Sequence, residues 1–402
     1  MAYRVLRLIN RFNLGGPTYN VTYLTRYMAP EFETLLVGGT KEESEASSDF
    51  ILEQNGVKPI IVKEMRRSIN PMNDIAAYKE IKKLIKDFKP HIVHTHAAKA
   101  GALGRMAAFA CKVPITVHTF HGHVFHSYFG NIQTTVYKNI ERYLAKRTTA
   151  LVTLSEKQKH ELSAIHKIAP ADKFHIVPLG FDLERFWANQ ESKRKQFREQ
   201  YEIADNEIAI GIIGRLVPVK NHRLFLKAFQ LAKAKTTEKI KAFVIGDGEL
   251  KEELMEYCKE IGLSFTSRTN LHANADVFFT SWIKEADIAT AGLDIIALSS
   301  LNEGTPVSLI EAQAAGRSII STQTGGIENV VIPEVTALLS PVNNVEAFAE
   351  NLIKLCNDRV LRQNLSEKGK EFVMNHFHYT SLALNMSNLY RKLIEDKHIQ
   401  AL

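Results

Sequence analysis

The sequence predicts an α/β protein of two doubly wound, Rossmann-like domains, and three observations carry that expectation. The chain has 402 residues, more than one ordinary core fills, so two domains of roughly 150–200 residues are expected. Short apolar runs alternate with segments of helical period along the whole length, as in parallel sheets covered by helices on both faces. The alternation restarts near residue 207, after a polar stretch without a strong period.

In the first half the strand runs are YRVLRLI (3–9), FETLLVG (32–38), VKPIIV (57–62), HIVHTH (91–96), ITVHTF (115–120), ALVTLS (150–155) and FHIVPLG (174–180). Helices fall between them; Ile75, Tyr78, Ile81, Leu84, Ile85 and Phe88, for example, share one helical face. The second half gives EIAIGIIGRL (207–216), IKAFVIGDGEL (240–250), DVFFTSW (276–282), LDIIALSS (293–300), RSIISTQ (317–323) and VTALLS (335–340). Residues 180–195 read as the interdomain linker. The expected domains are 1–185 and 186–375, with 376–402 a helix that either caps the second domain or crosses back to the first. Ligands of such sheets bind at the C-terminal ends of the strands, so the two domains are expected to face a ligand cleft.

The N-terminus lacks the apolar core of a signal peptide, and no apolar run approaches the roughly 20 residues of a membrane span. Three widely spaced cysteines, Cys111, Cys258 and Cys356, argue against a disulfide framework and a Cys-rich metal site. The expected location is the cytoplasm. Of the net charge of +7, residues 1–186 hold 26 Lys+Arg against 17 Asp+Glu, so an anionic partner is expected on that half. Nucleic acid is not expected.

Candidate site residues sit where strands end. Gly15 and Gly16 follow the first strand and precede a helix, a pairing that suits phosphate or a plain tight turn. There is no G-x-G-x-x-G, which speaks against a dinucleotide. Arg215 and Lys220 flank a proline turn after the first strand of the second half; a fork and a point charge together suit a diphosphate. In EGTPVSLIE (303–311), Glu303 falls in a loop and Pro306 suits a first helical turn. Gly304 allows close approach, Thr305, Val307 and Ser308 offer backbone N–H groups, and Glu311 lies about a turn into the helix. One acid suits a ribose diol and the other a sugar hydroxyl; Glu311 also has a plain reading as a helix-dipole partner. Ten of the fifteen histidines lie in the first half, several in HTH (94–96) and HTFHGHVFH (118–126). With few acids or cysteines nearby, no metal is expected. His118 alternates with Val117 and also reads as a strand residue satisfied internally, which leaves His121, beside Gly122, as the histidine most suited to touch substrate.

Together Gly15-Gly16, HTFHGHVFH, VPLGFDLERF, GRLVPVKNH, GDGEL, EGTPVSLIEAQAAG and the following TGG (324–326) resemble the family-4 retaining glycosyltransferases of GT-B fold, over nearly the whole chain. The resemblance implies that Arg215 and Lys220 bind the donor diphosphate, with Gly16 approaching it. Glu311 would hold the ribose, and Glu303 the transferred sugar. The amides of Thr305, Val307 and Ser308 would line the pocket, and His121 would contact the donor sugar. It implies no cofactor and no divalent metal. The donor would be a nucleotide sugar, UDP-linked or else GDP-linked. HTFHGHVFHSYFG resembles members that extend lipid-linked saccharides for surface polysaccharides, so a saccharide or lipid-linked saccharide is the expected acceptor. Independently, Lys79, Lys82, Lys83, Lys86 and Lys89 on the 74–89 helix suit an anionic membrane surface as well as a solvated face, which adds peripheral placement on the inner membrane face to the expectations. Two other classes fit the architecture: a UDP-sugar 2-epimerase, and a non-catalytic sugar-nucleotide-binding protein. The Arg215–Lys220 and Glu303–Glu311 spacings favour transfer over both.

Overall fold

The computed structural model describes residues 2–13, 15–41, 47–66, 68, 70–121, 131–267 and 274–401. The chain divides into two compact units, one of Met1–Phe181 with His376–Leu402 and one of Asp182–Asn375.

The first unit holds seven strands: β1 (Tyr3–Arg11), β2 (Phe32–Gly39), β3 (Ile60–Ile61), β4 (Ile92–His96), β5 (Ile115–Thr119), β6 (Ala150–Thr153) and β7 (Phe174–Ile176). They form one parallel sheet in the order β3-β2-β1-β4-β5-β6-β7. The order reverses between β1 and β4. Both faces are covered, so β1 is a near-continuous apolar run. Val5 packs with Tyr23 and Leu24 on one face; Leu6 and Leu8 pack with Ile81, Ile85 and Ala107 on the other. Of the predicted helical face on Pro71–Phe88, Ile81 and Ile85 are buried, whereas Ile75 is 56% exposed. It lies near the helix start, where the helix has not yet reached the core.

The second unit repeats the plan with β8 (Glu207–Ile213), β9 (Lys239–Ile245), β10 (Phe265–Ser267), β11 (Val277–Ser281), β12 (Ile295–Leu298), β13 (Ser318–Thr322) and β14 (Leu338–Ser340). The parallel order is β10-β11-β9-β8-β12-β13-β14, reversing between β8 and β12. Strand β10 was not expected: three residues at a sheet edge carry too little apolar pattern to stand out. The 180–195 stretch, expected to be a linker, is largely helical, in Glu184–Trp187 and Gln190–Gln200. Its polarity serves a purpose there: Arg194 and Arg198 bond to Asp294 at 2.7 and 3.2 Å, and Phe197 fills the space a side chain at Gly292 would need.

The final helix, Tyr379–Asp396, belongs to the first unit. Leu382, Met386, Leu389, Tyr390 and Leu393 recur at helical spacing and pack on the face of Val5, Ile92 and Val117. Phe181 N–H bonds to Phe377 C=O at 2.8 Å and Tyr379 N–H to Phe181 C=O at 3.1 Å. At Gly180 an added Cβ would stand 2.8 Å from the Tyr379 Cα, so glycine permits the crossing. On the rim Arg391 pairs with Glu31 at 2.6 Å. Because Leu382 is 1% exposed, Leu382→Ala should cost the first unit about 2–5 kcal/mol, measured by denaturant unfolding; a cost near zero would mean the helix is not part of that core.

Candidate functional site

In an open parallel sheet the strand ends diverge where the strand order reverses, and the loops there leave a crevice. In the second unit that point lies between β8 and β12. The β8 loop runs from Gly214 to a short 3-10 turn at Pro218–Lys220, and the β12 loop runs from Ser299 to Pro306. Ser299 Oγ donates to the carbonyls of Lys220 and Asn221 at 2.9 Å, and Leu301 N–H bonds to Val219 C=O at 2.8 Å. These bonds fix one loop to the other.

Lys220 Nζ meets Glu303 Oε1 at 2.5 Å, with the two side chains only 22% and 11% exposed. Ser300 Oγ donates to the same oxygen at 2.5 Å. Oε1 is thus committed twice, while Oε2 has no partner among the described residues. Arg215, exposed on the same loop, is in no ion pair among the described residues. The helix Val307–Ala314 starts one residue after Pro306, which stands at its N-cap rather than inside its first turn. Its first bond runs from Leu309 N–H to Pro306 C=O at 3.1 Å. The N–H groups of Thr305, Val307 and Ser308 have no partner among the described residues. A cation, a fixed cation–carboxylate pair and a row of open amides therefore lie at one sheet edge, an arrangement suited to an anionic, hydroxyl-bearing ligand.

Glu311, further along this helix, pairs with Arg185 at 3.6 Å. Burial pushes its carboxyl up to about 7, against the opposing pull of Arg185. Arg185 was read only as part of the linker; a charge in a polar stretch carries no sequence signal for a partner 126 positions away.

The glycines of this region fall into two kinds. An added Cβ would meet Glu303 O at 2.1 Å from Gly325 (φ +56°) and Gly304 O at 1.7 Å from Gly326. It would meet Gly214 O at 1.9 Å from Gly246 and Leu216 O at 2.4 Å from Gly248. These four are demanded by loop-on-loop packing. Gly304, in contrast, has nothing within 4 Å, and a Cβ at Gly15 or Gly16 would make only ordinary contacts at 3.7 and 3.6 Å. The fold does not require glycine at those three positions.

In the first unit the order reverses between β1 and β4. Gly15 caps the helix Gly16–Tyr27, with Pro17 in its first turn. His121 stands two residues past the end of β5, and its Nε2 lies 2.9 Å from His96 Nδ1. Burial lowers the His121 pKa to about 4. His118 is a strand residue satisfied by Thr95 Oγ1 at 2.9 Å. Residues 122–126 of the histidine-rich stretch lie outside the described residues. Among the described residues no group of three or more His, Cys, Asp or Glu side chains could hold a metal ion. Sequence reasoning noted HTH (94–96) only as part of the histidine-rich group and gave Arg7 and Tyr390 no role, yet Arg7, His94, His96 and Tyr390 form a buried network beneath His121; a further signal was the charged Arg7 inside the apolar run of β1.

Two family models match the chain: "Glycosyltransferase Family 4" over residues 14–185 and "Glycosyl transferases group 1" over residues 193–372. Among curated relatives, the UDP-Gal:alpha-D-GlcNAc-diphosphoundecaprenol alpha-1,3-galactosyltransferase of Escherichia coli is 29% identical over 357 residues, 89% of either chain. The capsular polysaccharide biosynthesis glycosyltransferase CapM of Staphylococcus aureus is 24% identical over 83% of this chain and 86% of its own. Among solved structures, Anabaena HepE in complex with UDP superposes with a TM-score of 0.78 at 16% identity, covering 97% of this chain and 100% of that one.

The two kinds of glycine should separate by stability. Gly326→Ala should cost about 1–3 kcal/mol or more, because backbone must move. Gly304→Ala and Gly16→Ala should stay within about 0.5 kcal/mol of the parent. Thermal melts of the three variants check this, and equal losses would remove the distinction.

Proposed function

Since the chain belongs to the family-4 glycosyltransferases, its first half matching the Glycosyltransferase Family 4 model and its second the group 1 model, we propose that it moves a sugar, with retention, from a UDP-linked donor to a hydroxyl of a lipid-linked saccharide. The donor would be a UDP-hexose or UDP-N-acetylhexosamine, and the product would enter cell-surface polysaccharide synthesis. The observation that carries the reading is the second-unit switch point, where open Arg215 and the Lys220–Glu303 pair stand beside the free amides of Thr305, Val307 and Ser308. The name of the E. coli relative supports the UDP-sugar and the diphospholipid acceptor.

Breaking a sugar–diphosphate bond builds negative charge on the leaving oxygens. Fixed donors aimed there contribute about 3–4 kcal/mol each in a water-poor site. Arg215 and Lys220 supply charge, and the amides at the start of the Val307–Ala314 helix supply oriented dipoles, so the chemistry calls on no metal or cofactor. Glu303 Oε2, left open while Oε1 is held by Lys220 and Ser300, accepts from a hydroxyl of the transferred sugar. Glu311 accepts the ribose diol. Gly16 and Gly304, glycines the fold does not need, leave room for the donor, and His121 contacts the sugar. Glu303 is tethered by two hydrogen bonds and makes a poor nucleophile. Retention then follows from same-face attack: the acceptor O–H bonds to the anomeric carbon as the bond to phosphate breaks, and the departing phosphate oxygen takes the acceptor's proton.

Peripheral membrane binding forms part of the proposal. On Pro71–Phe88 and its C-cap Lys89, Lys79, Lys83, Lys86 and Lys89 are exposed, as are Met72 and Ile75. Among the described residues no helix is long and apolar enough to cross a membrane. Flotation with anionic vesicles should weaken when these lysines become glutamate; indifference to both lipid charge and substitution would end this part of the reading.

The transfer itself is tested with UDP-sugars and a GlcNAc-diphospholipid acceptor. Product should form only when both are present; conversion of the donor alone would instead identify an isomerase. Glu303→Gln should lower kcat about 100-fold with little change in donor KM, whereas Glu311→Gln should chiefly raise donor KM. A glycosyl adduct on Glu303 in the mass spectrum would overturn same-face attack.

The pH dependence has a definite sign. Glu311 binds the ribose as a carboxylate and its pKa is about 7, so donor KM should fall as pH rises through that value. Glu311→Gln should flatten the profile. The same raised pKa means that the stability tied to the neutral carboxyl is fully present below the ordinary carboxylate value and is lost as pH rises through about 7.

A further inference from the structure

On the sheet face covered by the final helix, the core changes character toward the strand ends. Val5, Ile92 and Val117 are apolar. The next positions on that face are Arg7, His94, His96 and Thr119, brought side by side by the register Arg7↔His94, Ile9↔His96 and His96↔Thr119. Arg7, His94 and His96 are 0% exposed, and no carboxylate pairs with Arg7 among the described residues. A buried cation without a counter-ion is costly, so what surrounds it is informative.

Arg7 Nη1 lies 3.3 Å and Tyr390 Oη 2.6 Å from His94 Nδ1. Arginine only donates, so Nδ1 is the acceptor and the proton sits on Nε2, which donates to Thr119 Oγ1 at 2.7 Å. His94 is thereby a neutral ring of fixed tautomer. His96 lies against it, tilted, with ring centroids 4.2 Å apart, and His121 stacks beyond at 5.1 Å. One hydrogen bond joins His96 Nδ1 to His121 Nε2 at 2.9 Å, so one proton is shared between them. The outer atoms, His96 Nε2 and His121 Nδ1, are buried and have no hydrogen-bond partner among the described residues. In a neutral pair one of these outer atoms is an N–H and the other a lone pair.

We propose that His96 is a positioning residue for His121: it holds the Nε2 edge so that Nδ1 meets a sugar hydroxyl, with donor or acceptor character set by the proton the two rings share. This rests on the transferase reading. Arg7 and Tyr390 complete the device by fixing His94 and keeping the stack neutral. The groups that face the pair are Arg7 from β1, His94 from β4, His118 from β5 and Tyr390 from the final helix. Arg105, behind His118, is held by Glu141 at 2.7 and 2.9 Å. Burial holds His94 and His96 well below the ordinary histidine range, reinforced by Arg7 at His94 and by His94 and His121, then Arg7, at His96. The neutral form is the working form and is lost only as pH falls through those lowered values. The wild-type rate should therefore owe no acid limb to these rings between about pH 5.5 and 8.

Two measurements test the proposal. In wild-type protein labelled with 15N-histidine, long-range nitrogen–proton spectra should show His96 and His121 neutral and untitrating over that range; either ring titrating near 6.5 overturns it. In the transfer assay, His96→Phe should lower kcat about 10- to 100-fold with donor KM within about threefold, and His96→Asn, whose amide can reach His121 Nε2, should recover much of the loss. Wild-type kcat in His96→Phe, or equal loss in both variants, overturns it. Arg7→Met should bring an acid limb upward into the accessible range, and an unmoved profile counts against the device. The spectra need no turnover: no transfer from any donor, with the neutral pair seen, would refute the function and leave the pair standing.

Discussion

The bond between Lys220 and Glu303 is the constraint around which the second unit's site is organised. Two loops leave the sheet from β8 and β12, the neighbours between which the strand order reverses, and this half-buried ion pair is where their side chains meet. Removing either partner would strand a charge in a low-dielectric pocket, which costs far more than the pair itself contributes. The surrounding bonds from Ser299, Ser300 and Leu301 make the distance between the loops a property of the backbone, and the glycines of 246–248 and 325–326 let neighbouring loops press close behind them. What remains open among the described residues when these internal demands are met is the Arg215 guanidinium, Glu303 Oε2 and three amides.

The first unit uses a different device at its own switch point. There a buried arginine, a tyrosine from the final helix and neighbouring imidazoles share hydrogen bonds. The final helix does two jobs with one residue: the Tyr390 ring is core and its hydroxyl is network. The C-terminal segment thus reaches the chemistry of a sheet whose strands all lie in the first 176 residues.

The fold was legible because parallel strands buried on both faces leave continuous apolar runs, and thirteen of the fourteen strands coincide with such runs; β10 is too short and too polar to leave one. The switch-point loops were legible because Arg215, Lys220, Glu303 and Glu311 sit at fixed offsets from strand ends. Partnerships were not. Arg185 with Glu311, and Tyr390 with His94, join residues 126 and 296 positions apart, and nothing local in either sequence neighbourhood encodes them. The polar 180–195 stretch misled for a related reason: its charges answer Asp287, Asp294 and Glu311, so its periodicity is that of a helix whose inner face is partly ionic.

Glycine shows how structure sharpens a sequence reading. In the sequence, Gly15, Gly16 and Gly304 look no different from Gly246, Gly248, Gly325 and Gly326. Building a Cβ at each separates them: four would collide with backbone, and three would touch nothing or make ordinary contacts. A glycine that packing requires reveals only the fold. One that packing would let become alanine carries the entropic cost of glycine, roughly 0.5–1 kcal/mol within a helix, with no internal return. Gly16 opens a helix at the switch point of the first sheet, where that cost is only a fraction of the interior value. In the proposed function the return comes from outside the chain, from a donor that approaches the backbone more closely than a methyl group would allow.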